Sequence, residues 1–334
     1  MKIIIFEAEG WEQEAFTNTF QTTDELVLLQ EKLSLENVNR FADAEIISTF
    51  IYSDLQNKVL AQLPNLSLIA TRSTGYDHID TQYCQEHDIA IANVPEYGEN
   101  TVAEHVFALL LGLSHKLVDA VERTRRGDFT LAGLQGFDLV GKTLGVIGTG
   151  NIGQCVIKIA NGFGMHVVAY DVRTDETLAK DLNFTYLPLD ALLNQSDVLT
   201  LHVPANKHTY HLISDDQFAQ MKDGVVLINT SRGSVLHIEA LVRALAIGKV
   251  AAAGLDVLPD EPTIREESEL LHSFYRQQHN LETLLADSVL MRLSNVLITP
   301  HSAFYTKGAI YRIIDTTIGN IKAFIEGTPQ NLIK

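Results

Sequence analysis

The run Leu144-Gly145-Val146-Ile147-Gly148-Thr149-Gly150-Asn151-Ile152-Gly153 constrains this chain more than any other segment. An apolar stretch closing in G-x-G-x-x-G reads as a buried strand, a tight turn and the start of a helix. Gly148 permits the turn, Gly150 lets the backbone approach a pyrophosphate, and Gly153 lets helix and strand pack closely. The N–H groups at the helix start, Asn151 and Ile152 included, then face the phosphates. A glycine-rich turn alone is a weak signal, since it also serves as nothing more than a turn. Its context strengthens it here. Asp171 closes the next apolar run, Val167-Val168-Ala169-Tyr170-Asp171. It lies about 20 residues on, where a dinucleotide site needs a carboxylate for the ribose hydroxyls. That carboxylate repels a 2′-phosphate, so NAD is favoured, while Arg173 two residues later leaves NADP open.

Short apolar runs alternate with helix-like stretches along the whole chain, the pattern of an α/β protein with parallel sheet. Candidate strands in the first hundred residues are Lys2–Phe6, Glu25–Leu29, Ala44–Phe50, Leu66–Thr71 and Ile89–Asn93. A long amphipathic helix is expected from near Asn100 or Thr101 to about Gly127, with Thr101 and Glu104 as a capping box. A second series follows: Leu144–Gly148, His166–Asp171, Asp197–Val203, Val225–Asn229, Ala252–Val257 and Val296–Thr299. Six such runs match two mononucleotide-binding halves. A last helix, roughly Lys307 to Glu326, is too short to be a domain and is expected to return to the first one. The 334 residues suit two domains. The expected layout is a nucleotide-binding domain over 101–301 inserted into a discontinuous outer domain of 1–100 and 302–334, with a cleft between them.

The formal charge of −17 argues against a polyanionic partner, because nucleic acid needs a positive footprint. It leaves a small anionic substrate open, since one arginine dominates at short range. Two cysteines, Cys84 and Cys155, form no disulfide framework and suit a reducing cytosol. The N-terminus enters an apolar strand at once and reads as no signal peptide. The longest apolar stretch, Val102 to Leu113, is interrupted by Glu104 and His105, so no membrane span is expected. His208 and His211 sit close together, but no carboxylate or cysteine near them in sequence completes a metal shell, and no metal is expected.

Strand ends of the second series carry Ile228-Asn229-Thr230-Ser231-Arg232-Gly233, Gly254-Leu255-Asp256-Val257-Leu258-Pro259-Asp260-Glu261-Pro262 and Thr299-Pro300-His301-Ser302-Ala303-Phe304-Tyr305-Thr306. Ligands of open α/β sheets bind at such carboxyl ends. Together the three supply a guanidinium, a carboxylate and an imidazole, which are the groups that reduction of a 2-oxo acid needs. A planar guanidinium takes the substrate carboxylate in bidentate fashion. The carbonyl oxygen becomes an alkoxide as hydride arrives and needs a proton donor near neutrality. An imidazole, with an ordinary pKa of about 6.5, meets that need. A neighbouring carboxylate raises that value and keeps the acid loaded. Arg232, Glu261 and His301 are the candidates, with Asp260 a rival to Glu261. Each alone is as readily a surface or structural residue. Their joint position behind a dinucleotide fingerprint favours the catalytic reading.

GTGNIG, NTSRG, GLDVLPDEP and TPH occur in the order and approximate spacing of the D-isomer-specific 2-hydroxyacid dehydrogenases, which the chain resembles over essentially its full length. The resemblance implies two doubly wound domains: a Rossmann-type NAD-binding domain inserted into a discontinuous flavodoxin-like substrate domain. It implies catalytic Arg232 and Glu261-paired His301, and a homodimer formed through the NAD domains. It also implies cofactor contacts from Thr101, Val203, Pro204, Asn206 and Thr230, and from Asp256 to the nicotinamide carboxamide. In the outer domain, Thr71-Arg72-Ser73-Thr74-Gly75-Tyr76-Asp77 resembles the loop whose N–H groups hold the substrate carboxylate, with Thr74 and Gly75 at its centre. Tyr97 and Phe304-Tyr305-Thr306 resemble the D-lactate dehydrogenase subgroup, so pyruvate reduction to D-lactate is the expected reaction. The segment 263–294 reads as one or two helices over the site, with apolar residues at Leu270, Leu271, Phe274, Leu281, Leu284 and Leu285. Alternatives are another 2-hydroxy acid, such as glycerate, glyoxylate or a branched or aromatic acid, or an NAD-sensing binding protein of the same fold.

Overall fold

The computed structural model describes residues 1–20, 25–259 and 281–333. They divide into two compact units, Met1–Tyr97 with Thr306–Lys334, and Gly98–Tyr305.

The first unit is a five-stranded parallel sheet of β1 (Lys2–Ile5), β2 (Glu25–Leu28), β3 (Ile46–Thr49), β4 (Leu68–Thr71) and β5 (Ala90–Ala92), in the order β2-β1-β3-β4-β5. The Ile-Ile-Ile run of β1 shows why a parallel strand is apolar throughout. Ile4 joins the core on one face with Phe6 and Leu60, while Ile3 and Ile5 join the core on the other with Phe16 and Ile314. Alternation sends side chains to both faces, and both are covered. The helix Lys307–Ile325 lies on the second of these faces. Asn320 Nδ2 donates to Asn93 O at 2.8 Å, and Arg312 Nε to Tyr97 O at 2.6 Å, tying the helix to the end of β5 and the segment after it.

The second unit is a seven-stranded parallel sheet: β6 (Thr143–Ile147), β7 (His166–Tyr170), β8 (Thr185–Tyr186), β9 (Val198–Leu201), β10 (Val225–Asn229), β11 (Val250–Leu255) and β12 (Val296–Ile298), in the order β12-β11-β10-β9-β6-β7-β8. β6 to β8 are one mononucleotide-binding half and β9 to β11 the other, so the six sequence runs did not map onto the two halves as expected. The short edge strand β8 escaped them because two residues carry no readable period. β12 is a seventh strand beyond the two halves. The long helix expected from Thr101 is two. The first, Glu99–Ser114, starts from Gly98, with Val102 N bonded to Gly98 O at 2.8 Å, so Thr101 sits buried inside its first turn and is not the N-cap. Lys116, at φ +51°, breaks the chain before the second helix, Leu117–Arg125.

Of the segment 263–294, residues 263–280 lie outside the described residues. The helix Leu281–Leu290 packs against the helix Ile238–Ala246, and its Ala286 and Leu290 enter the core there. Among the described residues, no single helix is long and apolar enough to cross a membrane.

Candidate active site

The glycine turn sits where β6 and β9, neighbours in the sheet, send their connections apart, the switch point of a doubly wound sheet. Gly148 has φ +98°, a conformation open to glycine, and a Cβ there would meet His202 O at 2.5 Å. A Cβ on Gly153 would meet Gly148 O at 2.1 Å, so helix Asn151–Gly162 rests on the turn itself. Gly150 differs. A Cβ there would meet nothing within 4 Å, and its φ of −66° suits any residue. The fold does not need glycine at 150, and the bare backbone there fits close approach of a dinucleotide.

Asp171 follows β7 and faces the same turn. Its Oδ2 accepts from Thr149 N at 2.7 Å and Thr149 Oγ1 at 3.0 Å, and its Oδ1 from Arg173 N at 3.0 Å. Burial raises its pKa, but these bonds outweigh burial and hold it below the ordinary carboxylate value. The group at the end of β7 is therefore an anion. Thr230, after β10, is buried, and its Oγ1 has no hydrogen-bond partner among the described residues. An orphaned hydroxyl, an uncrowded Gly150 and an ionised Asp171 at strand carboxyl ends fit a bound dinucleotide. Val203 and Pro204 lie just past β9. Asn206 turns its Oδ1 back to His208 N at 2.8 Å.

The ends of β10, β11 and β12 lie side by side, with Asn229 paired to Leu255 and Leu255 to Ile298. Arg232 and His301 each stand three residues beyond those pairs, so the register brings both to one edge of the sheet. Buried Asn229 shapes the first turn. Its Oδ1 accepts from Ser231 N at 3.0 Å and Ser231 Oγ at 2.9 Å, while its Nδ2 donates to Arg232 O at 3.0 Å. A Cβ on Gly233 would lie 2.2 Å from Leu258 C, so this turn presses on the Leu258–Pro259 peptide after β11.

Asp256 organises the second turn. Its Oδ1 accepts from Thr299 Oγ1 at 2.5 Å and Ser302 N at 2.9 Å, and its Oδ2 from Ala303 N at 2.9 Å. Its own carbonyl accepts from His301 N at 2.9 Å. Burial opposes ionisation, yet these bonds and the nearby His105 hold its carboxyl below the ordinary value. Much of the carboxylate expected to face a carboxamide is thus committed to its own chain. His301 has φ +51°, an uncommon backbone for a residue with a side chain. Glu261 and its rival Asp260 lie outside the described residues.

In the first unit, the loop after β4 is stitched in place. Ser73 Oγ donates to Gly75 O at 2.6 Å, Thr74 Oγ1 donates to Val94 O at 2.7 Å, and Asn93 Nδ2 donates to Thr74 O at 2.8 Å. Tyr97 closes this unit partly exposed, and Tyr305 in the second unit is 57% exposed, its ring edge-on to Phe304. His211 is half-buried. Its ring stacks on Tyr210 and lies 4.6 Å from that of His237, whose Nε2 is 3.4 Å from Glu239. No group of three or more potential ligands suited to a metal occurs among the described residues.

Sequence reasoning passed over Asn229, His105 and Thr299. An Asn directly before a Thr-Ser pair is a side-chain turn signal that points to the first. His105 was visible only as an interruption of an apolar helix.

A family model described as "D-isomer specific 2-hydroxyacid dehydrogenase, NAD binding domain" matches residues 107–303. The chain is 38% identical over 292 residues to a 2-hydroxyacid dehydrogenase homolog of Haemophilus influenzae, covering 86% of this chain and 85% of that one. It is 33% identical over 301 residues to a glyoxylate reductase of Korarchaeum cryptofilum, covering 89% and 84%. A crystal structure of D-lactate dehydrogenase from Aquifex aeolicus, complexed with NAD and lactic acid, superposes with a TM-score of 0.89 at 36% identity, covering 98% of this chain and 96% of that one.

Proposed function

This chain belongs to the D-isomer specific 2-hydroxyacid dehydrogenases, and we propose that within them it reduces pyruvate to D-lactate. The second unit is its NAD-binding domain, and NADH supplies the hydride when bound. The observation that carries the catalytic reading is the register of β10, β11 and β12, which sets Arg232 and His301 at one sheet edge. In this reading Arg232 binds the substrate carboxylate, with N–H groups at Thr74 and Gly75 as further donors. His301 gives its proton to the carbonyl oxygen, and Glu261 is its acidic partner. The resemblance of Tyr97 and Tyr305 to the lactate subgroup, and the lactate-bound relative, favour pyruvate. The glyoxylate-reducing relative makes glyoxylate the first competitor.

Reduction assayed by loss of NADH absorbance over pyruvate, glyoxylate, hydroxypyruvate and aromatic 2-oxo acids tests this. Highest kcat/KM on pyruvate, with a D product, is expected; a better acid in the panel replaces pyruvate as substrate. His301→Asn is expected to lose about 10²–10⁴-fold in kcat, the usual worth of a general acid. Arg232→Ala is expected to act mainly on KM. His301→Asn with full turnover removes the imidazole from the reaction.

The helix Leu117–Arg125 buries no residue of its own, and Leu117, Val118, Phe129 and Leu131 are exposed around it. We assign this apolar surface of the NAD domain to a homodimer, and sedimentation at a monomer's mass rules that out. The cysteines are both free, which supports a reducing, cytoplasmic setting.

A further inference from the structure

We propose that His105 is a positioning residue for the reaction, holding the His301 turn in place through Thr299 and Asp256. The inference rests on the proton-donor reading of His301.

The Asp256 side chain is 1% exposed, and its ionised carboxylate is acceptor-only. Thr299 has one hydroxyl proton, and its Oγ1 stands 2.5 Å from Asp256 Oδ1, so that proton points to the carboxylate. His105 Nε2 lies 3.0 Å from the same Oγ1 and 3.5 Å from Asp256 Oδ1. Both neighbours can only accept from it, so Nε2 carries the proton. The result is a directed chain, Nε2–H to Oγ1–H to Oδ1. It runs from helix Glu99–Ser114, across 194 residues of sequence, to the end of β12.

The far side of Asp256 bears the turn. Ser302 N and Ala303 N bond its two carboxylate oxygens at 2.9 Å, and His301 N bonds its carbonyl at 2.9 Å. A residue at φ +51° stays there only where its surroundings over-determine it. His105 is a terminal donor of that arrangement. The ring is 21% exposed, whereas Val102, Val106 and Leu109 of the same helix are buried. The core does not need an imidazole at this place.

The holoenzyme with His105→Phe keeps an aromatic ring and loses the donor. Its kcat is expected to fall about 10- to 100-fold, the scale of a small misplacement of a catalytic group. NADH affinity by fluorescence, KM for the oxo acid and Tm are expected to stay near the parent's, which separates positioning from a general loss of structure. His105→Gln restores a side-chain N–H and is expected to recover turnover to within about threefold. Thr299→Val cuts the chain one link later, so adding His105→Phe to it is expected to cost little more, the non-additivity of residues in one network. Parental turnover in His105→Phe, failure of His105→Gln to recover it, or additive losses in the double variant overturns the inference. So does a loss of turnover that merely follows Tm. His301→Asn run alongside separates the two readings. If it keeps turnover, the proton-donor assignment fails. If it loses turnover while His105→Phe does not, only the role of His105 is lost.

Discussion

Each of the two sheets has a switch point, and the chain treats them oppositely. In the second unit, β6 and β9 part around a glycine turn that leaves room beside Gly150. In the first, β1 and β3 part around a side chain of the protein itself. Arg72, 1% exposed, donates to Phe6 O at 2.8 Å, Glu7 O at 2.9 Å and Ser48 Oγ at 3.2 Å. Its Nε lies 3.3 Å from Glu12 Oε1, an ion pair without an aligned hydrogen bond. Topology thus marks where a ligand can bind, and residue type decides whether one does. Bare N–H groups and missing side chains keep a crevice for a dinucleotide, whereas a guanidinium with two carboxylates fills one permanently. Arg72 directly precedes the Ser73-Thr74-Gly75 loop, so the same guanidinium anchors the start of that loop.

The largest effect is expected from emptying the filled crevice. Arg72→Met leaves buried Glu12 and half-buried Glu7 beside an apolar chain. Breaking a buried pair from one side costs about 3–5 kcal/mol. Urea titration of the parent, Arg72→Met, and Arg72→Met with Glu12→Gln reads the loss. Most of it is expected to return in the double variant, since the orphaned charge is then gone. A loss under about 1 kcal/mol would mean that the guanidinium only occupies space, the level of an exposed ion pair.

Filling the open crevice gives smaller effects, and two glycines separate them. Gly153→Ala forces a Cβ toward Gly148 O, so helix Asn151–Gly162 must move. About 1–3 kcal/mol of stability is expected to go with it, together with NADH affinity. Gly150→Ala meets no protein atom within 4 Å. Its stability is expected to match the parent within about 0.5 kcal/mol, while the NADH dissociation constant rises at least about tenfold through loss of close approach. Unchanged NADH affinity in Gly150→Ala moves the pyrophosphate away from this turn. Asp171→Asn is expected to weaken NADH by less and to raise the NADPH-to-NADH preference ratio, read by competitive fluorescence titration. An unmoved ratio assigns discrimination to another residue, with Arg173 the first to examine.

The same contrast explains what the sequence made legible. Strand interiors could be read because short, continuous apolar runs such as Ile3-Ile4-Ile5 and Val225-Val226-Leu227-Ile228 stand out between polar stretches. The glycine turn, Asp171 and the Arg232 and His301 segments could be placed because chemistry gathers where such runs stop. Thr185–Tyr186 was too short to show a period. The break at Lys116 depends on one left-handed residue that no apolar pattern reports. Arg72 was read only as part of a substrate loop, since nothing local tells a buried arginine from an exposed one. His105 and Thr299 are joined only by folding. Asp256 was read toward the cofactor, and its bonds to residues 299–303 emerge only when β11 and β12 lie side by side.

The smallest effect is on acid stability, and the more buried carboxyls of the two units should respond with opposite signs, the more exposed Glu31 and Asp43 of the first unit being lowered by their own partners. Burial raises Glu7 and Glu12 above the ordinary glutamate value, against the attraction of Arg72 and their N–H bonds. In the second unit burial also acts on Asp171, Asp197 and Asp256, but hydrogen bonds outweigh it and all three are lowered. A lowered carboxyl binds fewer protons folded than unfolded, so its contribution is present above the unfolded value of about 3.9 and is lost as pH falls through the folded one. A raised carboxyl binds more protons folded, so stability grows as pH falls through its raised value toward the unfolded one. Peptide-resolved hydrogen exchange, corrected for its intrinsic pH dependence, distinguishes the units. On acidification toward about pH 3.5, peptides of β6, β7 and β11 are expected to lose protection before those of β1, β3 and β4. The reverse order would mean that the N–H bonds around the three aspartates do not outweigh their burial. Arg72→Met sharpens the contrast. Without the guanidinium both glutamates rise further, so mild acid is expected to restore part of the stability that the substitution removed. No recovery would place the cost of losing Arg72 in its bonds to Phe6 and Glu7 rather than in the charges it leaves behind.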